Sequence, residues 1–71
     1  MEQIVISTAY ITLGQVLKEV GLIDTGGMAK WYLAEHTVYV NNEEENRRGK
    51  KLIPGDILLF EDGRKIEIVA N

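Results

Sequence analysis

The fold is decided by the stretch DTGGMAKWYLAEHTVYVNN, residues 24–42, which predicts a helix, a strand and a turn in succession. Thr25 is a favourable N-cap residue, because its side-chain oxygen can accept a hydrogen bond from an unpaired N–H of the first turn, and Asp24 before it is also a plausible cap. We expect the helix over about residues 26–35. Residues 37–40, Thr-Val-Tyr-Val, then alternate in polarity and size as a half-buried strand does.

Two glycines begin this helix, which is unusual because a glycine inside a helix costs roughly 1 kcal/mol relative to alanine. One interpretation is that Gly26 and Gly27 only let the helix pack closely on its neighbour. The other is that they leave the N–H groups of the first turn open to a phosphate. At the far end, we expect His36 to take the left-handed conformation that often closes a helix. A structural role for His36 agrees with the lack of any cysteine or second histidine to form a metal site with it.

An earlier helix has the clearest signals in the chain. Thr12 and Gln15 have the spacing of a capping box, and Gly21 is a typical residue to follow a last turn. Four apolar residues recur along one face of this helix: Leu13, Val16, Leu17 and Val20. Together with the helix over residues 26–35, this segment predicts two packed helices in the N-terminal half.

The remaining segments indicate strands and turns. A short β-branched segment at residues 3–7 is typical of an edge or capping strand. Asn41-Asn42 suits a turn because asparagine tolerates positive φ, and Pro54-Gly55 suits another. Asp62-Gly63 divides two apolar runs, so we expect a C-terminal hairpin over residues 57–69. The predicted fold is an α+β domain, in which two packed N-terminal helices lie against a small, mostly antiparallel β-sheet.

The charged residues are segregated along the chain. The net charge is −3, yet four of the eight basic residues lie in residues 47–51, Arg-Arg-Gly-Lys-Lys, shortly after Glu43-Glu44-Glu45. We expect this basic run to form a loop around Gly49, followed by Leu52 and Ile53 as apolar anchors. Such a cluster is often only a solvated loop, but a local basic patch is also the electrostatic requirement for binding nucleic acid.

The composition excludes several functional classes. With 71 residues, of which 45% are hydrophobic, we expect one small folded domain. One serine, one histidine and no cysteine leave few candidate catalytic side chains. Gly26-Gly27 also lacks the Gly-Lys-Ser/Thr ending of a nucleotide-binding P-loop. We therefore expect no enzyme, no cofactor and no small-molecule substrate. Neither a membrane span nor a signal peptide is indicated, so we expect a cytoplasmic protein.

Taken in chain order, the predicted helices, strands, turns and basic run resemble the RNA-binding domain named after the fourth small-subunit ribosomal protein, also called the alpha-L RNA-binding motif. Three matching segments are Gly26-Gly27-x-Ala-Lys, the strand ending at Asn41, and the basic run 47–51 with its following Pro-Gly-Asp. The whole chain looks like the stand-alone bacterial form, the YaaA-like and YbcJ-like small proteins. The resemblance implies one RNA-binding domain over residues 1–71, with a motif core of about 12–60.

The resemblance further implies binding of structured RNA, with ribosomal RNA or a ribosome-assembly intermediate as the target and ribosomal proteins as further partners. The implied surface joins the start of the second helix to the basic loop and comprises Lys18, Thr25, Gly26, Gly27, Lys30, Asn41, Arg47, Arg48, Lys50 and Lys51. Trp31, beside Lys30 and off the apolar stripe, is added as a residue that either stacks on a base or packs on Met28.

A second hypothesis gives the same fold a different function. A protein-interaction module with little RNA affinity would use the acidic run Glu43-Glu44-Glu45 and Trp31 to contact a partner. Salt dependence separates the two hypotheses, because counterion release makes RNA binding fall steeply with added salt.

Overall fold

The structure is a computed structural model that describes residues 1–71, and its chain forms two short helices and seven strands. In chain order these are β1 (Glu2–Ile6), β2 (Ile11–Thr12), α1 (Leu13–Glu19), α2 (Ala29–Glu35), β3 (Val38–Val40), β4 (Glu43–Glu45), β5 (Lys51–Leu52), β6 (Ile57–Phe60) and β7 (Lys65–Ala70). A 3₁₀ turn at Gly26–Met28 leads directly into α2. Neither helix has the length and apolar character needed to cross a membrane.

Five of the strands form one sheet in the order β1-β7-β6-β3-β4, and β2 pairs separately with β5. Every pairing is antiparallel except that of β1 with β7, so the predicted α+β class and the mostly antiparallel sheet are confirmed. The edge position predicted for the first strand is also confirmed. The prediction that both helices are N-terminal was wrong, because β1 and β2 precede them. Ile4 and Ile6 alternate into the core, which fixes the N-terminal segment beside β7.

Helix α1 begins and ends as its sequence predicts. The Thr12 hydroxyl accepts a hydrogen bond from the N–H of Gln15 at 3.3 Å, and the side-chain oxygen of Gln15 accepts one from the N–H of Thr12 at 2.9 Å. Gly21 has φ of +80° and donates its N–H to the carbonyl of Lys18. This left-handed closure after the last turn favours glycine, which has no Cβ.

The second helical segment covers the predicted residues 26–35, but the predicted capping interaction at each end was wrong. Thr25 has the extended backbone of an N-cap residue, but its side chain makes no capping hydrogen bond. The first turn is instead a 3₁₀ turn, closed by the N–H of Met28 on the carbonyl of Thr25 at 3.1 Å. His36 is extended, with φ of −130°, because it already leads into β3 and its ring contacts Glu61.

The core is a single cluster of buried side chains from both helices and one face of the sheet. Asn41 and Asn42 have φ of 51° and 71°, which confirms the predicted turn between β3 and β4. Leu52 is fully buried as expected, whereas the prediction that Ile53 is an anchor was wrong, since Ile53 is 54% exposed. Successive side chains of an extended segment point to opposite sides, so Ile53 faces away from the core that buries Leu52. Ile53 is also the first residue of a turn that its hydrogen bonds with Asp56 close.

Candidate nucleic-acid interface

The basic loop, residues 47–51, is attached to the start of α1 through its main chain. The N–H of Leu13 donates to the carbonyl of Lys50 at 2.9 Å, and the N–H of Gly14 donates to the carbonyl of Arg48 at 2.8 Å. The pairing of Lys51 with Thr12 in the β5–β2 ladder continues the same contact. First-turn N–H groups of a helix have no partner within the helix, so these carbonyls satisfy them. The backbone positions from which Arg48 and Lys50 extend are therefore fixed.

Gly14 is the point at which α1, α2 and the basic loop meet. It is buried, and a Cβ placed on it would lie 3.3 Å from the carbonyl oxygen of Arg48 and 3.5 Å from the Cβ of Ala29. Glycine at this position therefore allows the loop to approach the helix closely enough for its hydrogen bond. The sequence signal was a glycine inside an otherwise strong helix, which often marks such an approach.

An open cleft of about 440 Å³ lies between α1 and the basic loop. Its lining consists of Thr12, Gly14, Gln15, Lys18, Gly26, Arg48 and Gly49. The fold thus brings together three of the predicted surface residues, namely Lys18, Gly26 and Arg48. Thr12, Gly14, Gln15 and Gly49 were not predicted for this surface, because Thr12 and Gln15 were explained by helix capping and the two glycines have no side chain to contact a ligand.

Two predicted cations already have partners inside the chain. Arg47 donates from Nε and Nη2 to the two carboxylate oxygens of Glu45, at 2.9 and 3.1 Å. The hydrogen bonds from Arg47 hold the pKa of Glu45 below its usual value, and the carboxylate raises the pKa of Arg47. The Nζ atom of Lys51 lies 4.9 Å from the ring centroid of Tyr10, a cation–π contact.

The other predicted cations are free of ion pairs. Lys18, Lys30 and Arg48 are exposed, and none of them is within salt-bridge distance of a carboxylate. Lys50 is half-buried and lines a separate depression together with Arg47 and three acidic residues, Glu43, Glu45 and Asp56. The structure contains no grouping of histidine and carboxylate side chains that could hold a metal ion. Of the three exposed cations without an ion pair, Lys18 and Arg48 line the cleft and Lys30 does not.

Asn41 has a structural explanation for its position. Its side-chain Nδ2 donates to Asp56 at 2.9 Å, and its Oδ1 accepts the N–H of Ile57 at 3.0 Å. Both polar atoms of the side chain thus join the β3–β4 turn to the start of β6. Its assignment to the RNA surface stays a prediction, and these hydrogen bonds would have to be shared or broken for it to contact a ligand.

The remaining predicted residues lie around the start of α2 but outside the cleft lining. Thr25 and Gly27 are exposed in the segment that precedes α2. Trp31 is 75% exposed, so it is not a core residue. It follows the buried Ala29 by two positions, which on an α-helix is a rotation of about 200°. Since the Cβ of Ala29 faces Gly14 of α1, Trp31 lies on the opposite face of α2, and it is absent from the cleft lining.

Comparison with known proteins covers almost the whole chain. A family model described as the S4 domain matches residues 4–69, a range that includes the cleft and the basic loop. The chain is also similar to a Bacillus subtilis (strain 168) protein, the probable ribosome maturation protein RlbA, at 52% identity over 64 residues. That alignment covers 90% of this chain and 90% of the relative. The relative is thus matched over nearly its full length.

Proposed function

The chain belongs to the S4 domain family, an RNA-binding family, and we propose that it binds structured RNA through the cleft between α1 and the basic loop. The observation that carries the proposal is the convergence of Lys18 and Arg48 on one cleft, with neither side chain held by a carboxylate. Arginine can hold a phosphate through two parallel hydrogen bonds, and lysine supplies a mobile point charge. A binding function, with no reaction, is what this arrangement supports.

The proposed target is ribosomal RNA or an intermediate of ribosome assembly. This step rests on the relative, which is named a probable ribosome maturation protein and is similar over 90% of both chains. Ribosomal proteins next to the bound RNA are then further contacts, and the cytoplasm is the expected compartment.

Few cations are available for phosphate contacts, which limits the affinity for RNA in general. The net charge is −3, and Arg47 and Lys51 are engaged within the chain. Each phosphate neutralised contributes about 0.7 to 0.9 to the slope of log affinity against log salt. Lys18, Lys30 and Arg48 remain available, with the half-buried Lys50 as a fourth cation. This small number of phosphate contacts gives modest, salt-sensitive affinity. Selectivity must come from the shape of the RNA, which the fixed positions of helix and loop can match.

Fluorescence anisotropy with ribosomal RNA fragments across a salt series tests this proposal. We expect Lys18→Ala and Arg48→Ala each to weaken binding and to flatten the salt slope by about one contact. Lys65→Ala is the matched control, because Lys65 is an exposed lysine on β7 and alternates away from the buried Ile66. A folded wild type that binds no fragment at low salt contradicts the proposal, as does a loss of affinity in Lys65→Ala equal to that in Lys18→Ala.

The second candidate is a protein-interaction module with little RNA affinity. It is favoured by the exposure of Trp31, since a tryptophan that is 75% exposed on a small domain is a common centre for a protein contact. The strand β4, which is three glutamates, would add an acidic region for a basic partner. Binding to a protein partner that hardly changes with salt would favour this candidate, provided that it is lost in Trp31→Ala and kept in Lys18→Ala.

A further inference from the structure

Glu45 holds Arg47 by three hydrogen bonds. The two side-chain contacts, at 2.9 and 3.1 Å, join both carboxylate oxygens to Nε and Nη2 of the guanidinium. The third joins the backbone N–H of Arg47 to the same carboxylate at 3.0 Å. The pair is also asymmetric, because the side chain of Glu45 is only 11% exposed and that of Arg47 is 71% exposed. The anion is thus fixed against the protein, while the cation extends into solvent.

The carboxylate occupies the part of Arg47 that would bind a phosphate. A carboxylate and a phosphate present two oxygens to the guanidinium fork in the same way, so they compete for it. We propose that Glu45 is an internal competitor of RNA phosphate at Arg47, and that Arg47 joins the RNA interface only when a phosphate displaces this carboxylate. The inference rests on the proposed function and adds a residue that sets its selectivity.

The position of Glu45 explains why its carboxylate competes with a phosphate and does not move together with the Arg47 guanidinium. The hydrogen bond from the main chain of Arg47 keeps the carboxylate in place when the guanidinium turns away. Lys50 nearby also helps to keep Glu45 ionised, adding to the lowering of its pKa by Arg47. Because the cation of this pair lies exposed at the surface, the pair adds little stability, so a well-placed phosphate can displace the carboxylate. A phosphate in an arbitrary RNA gains little from doing so, and non-specific binding is suppressed.

The test compares Glu45→Gln with Glu44→Gln in the full chain, by anisotropy with a ribosomal RNA fragment and with an unrelated RNA. Both variants remove one negative charge from β4, but Glu44 forms no salt bridge with Arg47. We expect Glu45→Gln to bind both RNAs several-fold more tightly, with a steeper salt slope by about one phosphate contact. The gain should be larger for the unrelated RNA, which lowers the selectivity. Glu44→Gln should change the affinity much less.

Arg47→Ala, made in the wild type and in Glu45→Gln, completes the test. With the unrelated RNA, we expect it to cost little in the wild type, where Glu45 keeps the guanidinium, and to remove the whole gain in Glu45→Gln. Weaker binding by Glu45→Gln, or an equal cost of Arg47→Ala in both backgrounds, overturns the inference but leaves the proposed function intact. A wild type that binds neither RNA overturns both. Thermal unfolding of each variant confirms that binding is compared between folded proteins.

Discussion

The N–H of Gly14 donates a 2.8 Å hydrogen bond to the carbonyl oxygen of Arg48, joining the first turn of α1 to the basic loop. In many proteins such a first-turn N–H is free to bind an anion, but here it is used to position a cation. The contact places the side chain of Arg48 at the edge of the cleft. Stability of the fold and geometry of the proposed RNA surface therefore depend on the same hydrogen bond.

Replacing Gly14 should disturb both the fold and the cleft. In Gly14→Val the first added carbon would lie 3.3 Å from the carbonyl oxygen of Arg48 and 3.5 Å from the Cβ of Ala29, and the branched methyls would come closer still. Ala29 is buried and cannot move away, so the loop must shift and lose its hydrogen bond. We expect a loss of about 1–3 kcal/mol in the free energy of unfolding, as for other overpacked sites, measured by urea denaturation.

The matched control for this prediction is Gly49→Val in the same loop. A Cβ on Gly49 meets no atom within 4 Å, and its backbone is outside the left-handed region. We expect its midpoint of unfolding to stay close to that of the wild type. If Gly14→Val is as stable as Gly49→Val, the close approach of loop and helix does not constrain the fold.

The two threonines at the helix starts should differ in their contribution to stability. Thr12 caps α1 with its hydroxyl, whereas Thr25 makes no side-chain capping bond. Thr12→Ala should therefore lower the free energy of unfolding by about 1 kcal/mol, and Thr25→Ala should lower it by less than about 0.5 kcal/mol. Chemical denaturation of the two variants measures the difference. Equal losses would mean that the Thr25 hydroxyl does cap the second helix in solution.

Features that depend on residues close in sequence could be predicted, whereas contacts between distant segments could not. The capping box of α1 was predictable because Thr12 and Gln15 are three residues apart and need nothing else in the chain. The contact of His36 with Glu61 was not, because Glu61 is distant in sequence. For the same reason the pairing of β1 with β7 was missed.

The candidate site likewise has some features that could be predicted from the sequence and others that depend on contacts between distant segments. Lys18 and Arg48 could be assigned to it from a resemblance in sequence. Their convergence with Gly14 could not, because it depends on a loop returning to the first turn of α1. The Glu45–Arg47 pair was also missed, since the charge pattern shows an acidic run and a basic run but not which side chains meet.

The stability of the fold should depend on the charge of Glu61. Its carboxylate accepts the N–H of Thr37 at 2.6 Å and lies 3.0 Å from Nδ1 of His36. These hydrogen bonds, that from Thr37 first, lower the pKa of Glu61 below its ordinary value of 4.5. A pKa lowered by folding gives stabilisation that is complete above the unfolded-state value and is lost as the pH falls through the folded-state value.

We therefore expect Glu61→Gln to unfold at a lower temperature than the wild type at neutral pH, and the difference to shrink as the pH is lowered below about 4.5. Thermal unfolding followed by circular dichroism over this range measures it. Glu19→Gln is the control, because Glu19 is an exposed glutamate outside every salt bridge of the fold. A wild type and a Glu61→Gln variant that differ equally at every pH would show that the carboxylate charge is not involved.

Trp31 provides a direct reporter of any base stacking. It is the single tryptophan of the chain and is 75% exposed, so its fluorescence should be quenched when a base of the bound RNA stacks on it, with the same midpoint as the anisotropy titration. Stacking of one base on an aromatic ring is worth about 1–3 kcal/mol, and Trp31→Ala should weaken RNA binding by that amount. Its free energy of unfolding should change by less than about 0.5 kcal/mol, because the side chain lies outside the core.

Trp31→Phe separates stacking from a general effect of the substitution, since phenylalanine keeps an aromatic face and should retain most of the affinity. Because Trp31 lies outside the cleft that Arg48 lines, a stacked base requires RNA that extends around the start of α2. Short fragments that fill only the cleft should then bind without quenching, and longer ones should quench. If no RNA quenches the fluorescence while anisotropy reports binding, Trp31 lies outside the RNA interface and is free to contact a protein partner.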